Sequence, residues 1–201
     1  MSRTIRAVVM GLVAAAALTA QEGEKKFEIT KEVQAQIDAY KKDVAGWAAD
    51  AKVVAAVVAH NKKGPIEGMD NKKWKALRRR SDEVVAFMTN DAAKALEAKT
   101  KATNGIVSEA FLNGAKGEKV AFLEKTSSYL HDSSAKFTVP FTKKTAWQGE
   151  PEFDESSQAY AVQIAVPVFD TADKDQKAPI GVLVVGLNLT NLAQPKPAPA
   201  K

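Results

Sequence analysis

Cysteine is absent from this chain, and histidine occurs only at His60 and His131. Without thiols there is neither a disulfide framework nor a thiolate zinc site, so the fold must stand on its hydrophobic core. Two isolated histidines, one at a predicted helix end and one in a polar connecting segment, give neither a histidine metal cluster nor a Ser-His-Asp hydrolase arrangement. No glycine-rich phosphate loop follows any predicted strand. The acids of Asp170-Thr171-Ala172-Asp173-Lys174-Asp175 lack the glycine and terminal glutamate of an EF-hand, which leaves a solvated hairpin loop. No catalytic residue, metal or cofactor is expected, and an enzyme is not the expected class.

Charge of one sign is also scarce. Twenty-nine basic residues stand against 24 acidic ones, for a formal balance of +5, too mild to indicate nucleic acid as a partner. Arg78-Arg79-Arg80 is the only dense basic run; with no aromatics between its members, it reads as a solvated helix start. Long apolar runs are missing as well. The stretch Ala7–Ala20 is shorter than the roughly 20 residues of a spanning helix. With Arg3 and Arg6 before it, Ala20 at its end and QEGEKK after it, residues 1–20 read as a secretory signal peptide cleaved after Ala20; the alternative is an uncleaved anchor. Cleavage lowers the formal balance from +5 to +3. A cysteine-free exported chain suits the periplasm or the extracellular medium. The remaining length fits one globular domain, and residues 193–201, ending in QPKPAPAK, read as a disordered Pro-rich tail.

The strongest pattern lies near the C-terminus. In Ala159–Phe169 the even positions Tyr160, Val162, Ile164, Val166 and Val168 are large and apolar, whereas Ala161, Gln163 and Ala165 are small or polar. That period of two predicts a strand with one apolar face. Gln163 either points to solvent or reaches into a cavity. Ile180–Leu189 is apolar on both parities, so its strand must be covered on both sides and form the middle of the sheet. The loop DTADKDQKA joins the two. Upstream, GIVSEAFLN and EKVAFLEKT flank GAKG and predict a β-hairpin. A further short strand is expected at Ala146–Glu152.

Helices fill the N-terminal half. Val33, Ile37, Tyr40, Val44, Trp47, Ala51, Val54 and Val58 alternate at spacings of four and three, which predicts one helix from about Ile29 to His60, roughly 45 Å long. Its seam packs within the monomer or, near Ile29, protrudes and pairs with a second copy. Gly64-Pro65 and Gly68 break it. A short amphipathic helix carries Trp74, Leu77, Val84, Val85, Phe87 and Met88, and Thr89-Asn90-Asp91 caps another that runs to Asn104-Gly105.

The order of a long helix, shorter helices, the hairpin GIVSEAFLNGAKGEKVAFLEK, then TSSYLHDSSAKF, FDESSQAYAVQIAVPVFD and APIGVLVVGLNL resembles a Cache (PDC) extracytoplasmic sensor domain, over residues 27–192. The resemblance implies an α+β fold in which the long N-terminal helix and shorter helices pack on a five-stranded antiparallel PAS-like sheet. It implies a small molecule bound between the sheet and the connecting segment after the second strand. Carried over residue by residue, Tyr129 and Lys136 lie in that segment, and Trp147, Asp154, Tyr160 and Gln163 on or beside the third and fourth strands. Lys136 could neutralise a carboxylate, Asp154 an amine, and the rings could exclude water. Asp154 could equally open an Asx-type turn. The expected ligand is an amino acid, an amine or a short carboxylate. No effector domain follows the strands, so signalling would need a separate membrane partner; the alternative is a ligand-free structural or dimerisation module.

Overall fold

The computed structural model describes residues 27–154, 158–173, 175 and 178–194. The expected signal peptide, residues 195–201 of the tail and the turn 155–157 lie outside the described residues.

Two helices stand where the seam predicts one: α1 (Lys31–Ala48) and α2 (Ala51–Lys63). The seam is apolar straight across the junction, so the break comes from a polar contact. The Asp50 carboxylate accepts the Lys52 N–H at 2.9 Å and thereby caps α2, as a side chain does when it satisfies a donor left open at a helix start. Lys99 holds the same carboxylate at 3.0 Å. The outer end of the seam is not free for a second copy. Val33 and Ile37, 6% and 0% exposed, sit in the core of this chain. Lysines placed there would unfold the domain rather than separate subunits.

The next predicted helix is also two, α3 (Asn71–Ala76) and α4 (Asp82–Thr89), separated by an extended Leu77. Arg78, Arg79 and Arg80 occupy the exposed link between them. The predicted cap at Asn90 starts α5 (Asp91–Lys101): its Oδ1 accepts the Ala93 N–H at 2.9 Å. The same amide donates to the Val120 carbonyl at 2.9 Å and so ties the helix to the sheet.

The hairpin forms as expected, β1 (Val107–Asn113) against β2 (Lys119–Phe122). A helix absent from the sequence reading, α6 (Ala135–Lys143), follows the connecting segment and contains Pro140. The expected third strand is split into β3 (Trp147–Gln148) and β4 (Glu152–Asp154), both on the edge of β5 (Ala159–Phe169). Pro151 has no N–H to give, which suits the interruption of an edge strand. The last strand, β6 (Pro179–Asn188), leads into a single turn, α7 (Leu189–Leu192). Sheet order is β2-β1-β6-β5-β3, all neighbours antiparallel, with β4 also on β5. Six strands thus fill the five expected places, and β6 lies in the middle.

Each parity of β6 feeds a different core. Leu183, Val185 and Leu187 join Val162, Ile164, Val166 and Val168 of β5 in a first cluster, covered by α1, α2 and α5 through residues such as Ile37, Val44, Val57 and Leu96. Val182 and Val184 join Phe111, Phe122 and Ala165 in a second cluster on the opposite face, covered by Trp74, Val84, Tyr129 and Phe137. The domain is a three-layer α+β structure, with helices on one face and α3, α4, α6 and the connecting segment on the other.

Candidate functional site

The second face carries the chemistry, and two irregularities in the ladder put it there. Between β1 and β2 the register skips: Leu112 faces Ala121, but Asn113 faces Lys119. A bulge leaves two successive residues on the same side. Val120 and Ala121 both enter the first cluster, and Lys119 turns to the second face. Its Nζ stands 3.2 Å from the centroid of the Phe111 ring. A second shift, between Val107 and Glu109, sets Glu109 opposite Gly186, which also faces Gln163. Glu109 and Gln163 are therefore two strands apart, with a glycine between them. A Cβ at Gly186 would meet the Glu109 Cβ at a tight 3.1 Å. Lacking one, the two side chains reach across β6.

Gln163 points to this face and not to solvent. Its Nε2 donates to Glu109 Oε2 at 2.8 Å, and its Oε1 accepts from the Lys136 ammonium of α6. This orientation of the amide satisfies an anion on one side and a cation on the other; the flipped one satisfies neither.

Lys119 is fully buried. No described carboxylate pairs with it; its Nζ meets the His131 Nδ1 at 3.1 Å. Burial holds its ammonium well below the usual lysine range, the Lys136 charge adds to this, and Glu109 partly opposes it. The His131 ring stacks on Phe111 with 5.2 Å between centroids. Burial, and after it the charges of Lys119 and Lys136, push its pKa down to about 3. Beside Lys119 in the register, Asn113 is 0% exposed, and neither its Oδ1 nor its Nδ2 has a hydrogen-bond partner among the described residues.

A pH dependence follows for stability. His131 binds a proton near pH 6.5 when unfolded but only near pH 3 when folded. Between those values the unfolded chain holds more protons, so stability falls as pH falls, at up to about 1.4 kcal/mol per pH unit from this group. We expect His131→Gln to flatten the urea midpoint between pH 6.5 and pH 4.5, above the range in which ordinary carboxylates titrate. A slope equal to that of the parent protein would show that His131 is not held neutral.

The residues predicted from sequence divide by face. Lys136 and Gln163 meet, as described, and Trp147 packs half-buried against the second cluster. Tyr129 is fully buried under the connecting segment. Its hydroxyl accepts the Ile66 N–H at 2.8 Å, and its backbone N–H donates to Asn71 Oδ1 at 2.8 Å, which anchors the segment to the loop before α3 and to the first residue of that helix. Tyr160 is on the other side of the sheet, against the first cluster, with Phe27 and Phe153 at 5.4 and 5.1 Å. Asp154 pairs through its backbone with Ala159, four residues or about 13 Å along β5 from Gln163, and its side chain lies outside the described residues. Glu109, Lys119, His131 and Asn113 are absent from the sequence reading. The one sequence signal for them is a lysine inside the apolar strand Val120-Ala121-Phe122.

Among the described residues no group of three or more His, Cys, Asp or Glu could hold a metal ion. No described helix is long and apolar enough to cross a membrane.

No protein-family model matches the chain, and no curated protein matches it. Solved structures do. The chain is similar to the ligand-binding domain of the Pseudomonas aeruginosa amino acid chemoreceptor PctC in complex with GABA, at 13% identity and a TM-score of 0.48, covering 80% of this chain and 56% of that one. It is similar to the ligand-binding domain of the Campylobacter jejuni chemoreceptor Tlp3 in complex with 4-methylisoleucine, at 13% identity and a TM-score of 0.42, covering 81% and 59%. The sensor domain of the Vibrio cholerae histidine kinase DctB matches at 17% identity and a TM-score of 0.34, covering 81% and 61%. The chain thus spans less than two thirds of the length of each. All three are sensory or ligand-binding domains.

Proposed function

We propose that this protein is an extracytoplasmic small-molecule sensor domain of the Cache type, its ligand held between the second face of the sheet and the connecting segment that includes α6. The observation that carries this reading is the buried Lys119, a basic side chain with no described carboxylate partner, beside the buried Asn113, whose amide makes no hydrogen bond among the described residues. Charge inside an apolar layer costs several kcal/mol unless something compensates it. Evolution discards such groups readily when only stability is at stake, and a ligand site is where they persist.

On this reading Lys136, Gln163 and Trp147 contact the ligand, Tyr129 is the wall behind them, and Asp154 closes the far end. The chain is exported to the periplasm or secreted, and passes its signal to a separate partner. It acts by binding and not by catalysis. The test is the melting temperature of the exported protein against a panel of amino acids, amines and short carboxylates. A ligand that binds only the native state must raise it, by about 2.7 kcal/mol of stability at one hundred times its dissociation constant. A panel with no effect at millimolar concentration would favour the ligand-free structural module.

A further inference from the structure

We infer that the ligand is a small monocarboxylate without an ammonium group, and that Lys119, with Asn113 beside it, receives the carboxylate. This deepens the sensor reading and rests on it. The charges on the second face do not balance by themselves. Lys136 and Glu109 are linked through the Gln163 amide, so each already has its counterpart. Lys119 remains, fully buried, with His131 Nδ1 and the Phe111 ring as its described contacts. Burial disfavours its charged form, and a ligand carboxylate is the group that would let it ionise in place.

Donor count points the same way. An ammonium has three N–H groups, and one of them is directed at His131. Asn113, its register partner, has an amide with both donor and acceptor unused and no exposure to water. A carboxylate offers about four acceptor positions on two oxygens, which a lysine and an amide NH2 can share. A ligand ammonium fits poorly here. It would enter beside Lys119 and Lys136, and the one anion near them, Glu109, already accepts from Gln163. The side chains around them, Phe111, Val182, Val184 and Ala165, are apolar and offer a ligand no further charge.

Capture of an anion has a readout in protons. The groups facing Lys119 are His131 from the connecting segment, Glu109 from β1 and Lys136 from α6. Burial depresses its ionisation in the free protein, and a carboxylate beside it restores the charge, so binding takes up a proton at neutral to alkaline pH.

Isothermal titration of the full chain with sodium propionate and butyrate, in two buffers of different ionisation heat, tests the inference. We expect binding with proton uptake of up to one per ligand, and propionamide and propylamine at least about tenfold weaker, the loss of a charge-assisted hydrogen bond. Lys119→Met should weaken the carboxylate by about ten- to a hundredfold, while melting no lower than the parent in the absence of ligand. Asn113→Val provides a second variant with the same direction. Unchanged carboxylate affinity in a folded Lys119→Met, or equal binding of the amine or amide, overturns the inference. If an amino acid or amine binds in the thermal panel and carboxylates do not, the sensor reading stands and this one falls; if nothing binds, both fall.

Discussion

Replacement of Trp74 by alanine should destabilise the domain by about 3–5 kcal/mol, the range for emptying a large buried aromatic site. The ring is fully buried and meets Phe87, Phe122 and Tyr129 at centroid distances of 5.8, 5.9 and 5.3 Å. Its indole N–H also donates to the Thr126 carbonyl at 2.8 Å. The tryptophan therefore pins the connecting segment to the second face from a helix that has only six residues and little stability of its own. For a domain of this size the loss corresponds to a fall in melting temperature of about 6–20 °C. Trp74→Phe keeps most of the packing and removes the donor, so its cost should be smaller, near the roughly 1 kcal/mol of one hydrogen bond plus part of the lost area. Ligand affinity should fall with Trp74→Ala, since the segment that closes the site is released. Calorimetry on both variants checks this, and equal melting temperatures for Trp74→Ala and the parent would remove Trp74 from the account.

Leu183→Ala should be as costly to stability and silent for the ligand. Leu183 is fully buried in β6, opposite Leu112 on one side and Val166 on the other, in the first cluster. A cavity at such a site costs about 2–5 kcal/mol. Its side chain faces α1, α2 and α5, away from Lys119. Once the variant is folded, its affinity for any ligand of the second face should match the parent within about twofold, because sites that share no partner add independently. A large loss of affinity in folded Leu183→Ala, with no loss in Trp74→Ala, would reverse the assignment of faces.

What the sequence made legible is the sheet's centre and its two-sided burial, because an apolar run on both parities has few other uses. The hairpin and the Asn90 cap were legible for similar reasons: glycine-rich turns and capping amides act over three or four residues. The break at Asp50 was not, since Ala48, Ala49 and Ala51 continue the apolar seam and only the carboxylate's contact with the Lys52 N–H distinguishes a cap from an exposed acid. Helix α6 was hidden by Pro140, Thr138 and Val139, residues that locally argue against a helix; packing of Phe137 and Pro140 against the sheet outweighs them. The site was half legible. Gln163 was visible as the odd polar residue of β5, and Lys136 by resemblance. Lys119 reaches the face of Glu109 and Phe111 only through the register shift between β1 and β2, and a bulge cannot be read from a period of two. Tyr160 lies where its even position along β5 puts it, on the opposite face from Gln163, so its place in the site rested on resemblance against the pattern of the strand.

The central claim is that a small molecule binds on the second face, beneath the connecting segment. Amide hydrogen exchange of the full chain, with and without saturating ligand from the thermal panel, tests it by position. The account predicts slower exchange in β2 and across residues 126–143, where the segment and α6 cover Lys119 and Gln163, and no change in α1, α2 and α5. Protection gained on the opposite side would contradict it, above all around the recess of about 430 Å³ lined by Lys41, Ala45, Val166 and Phe169.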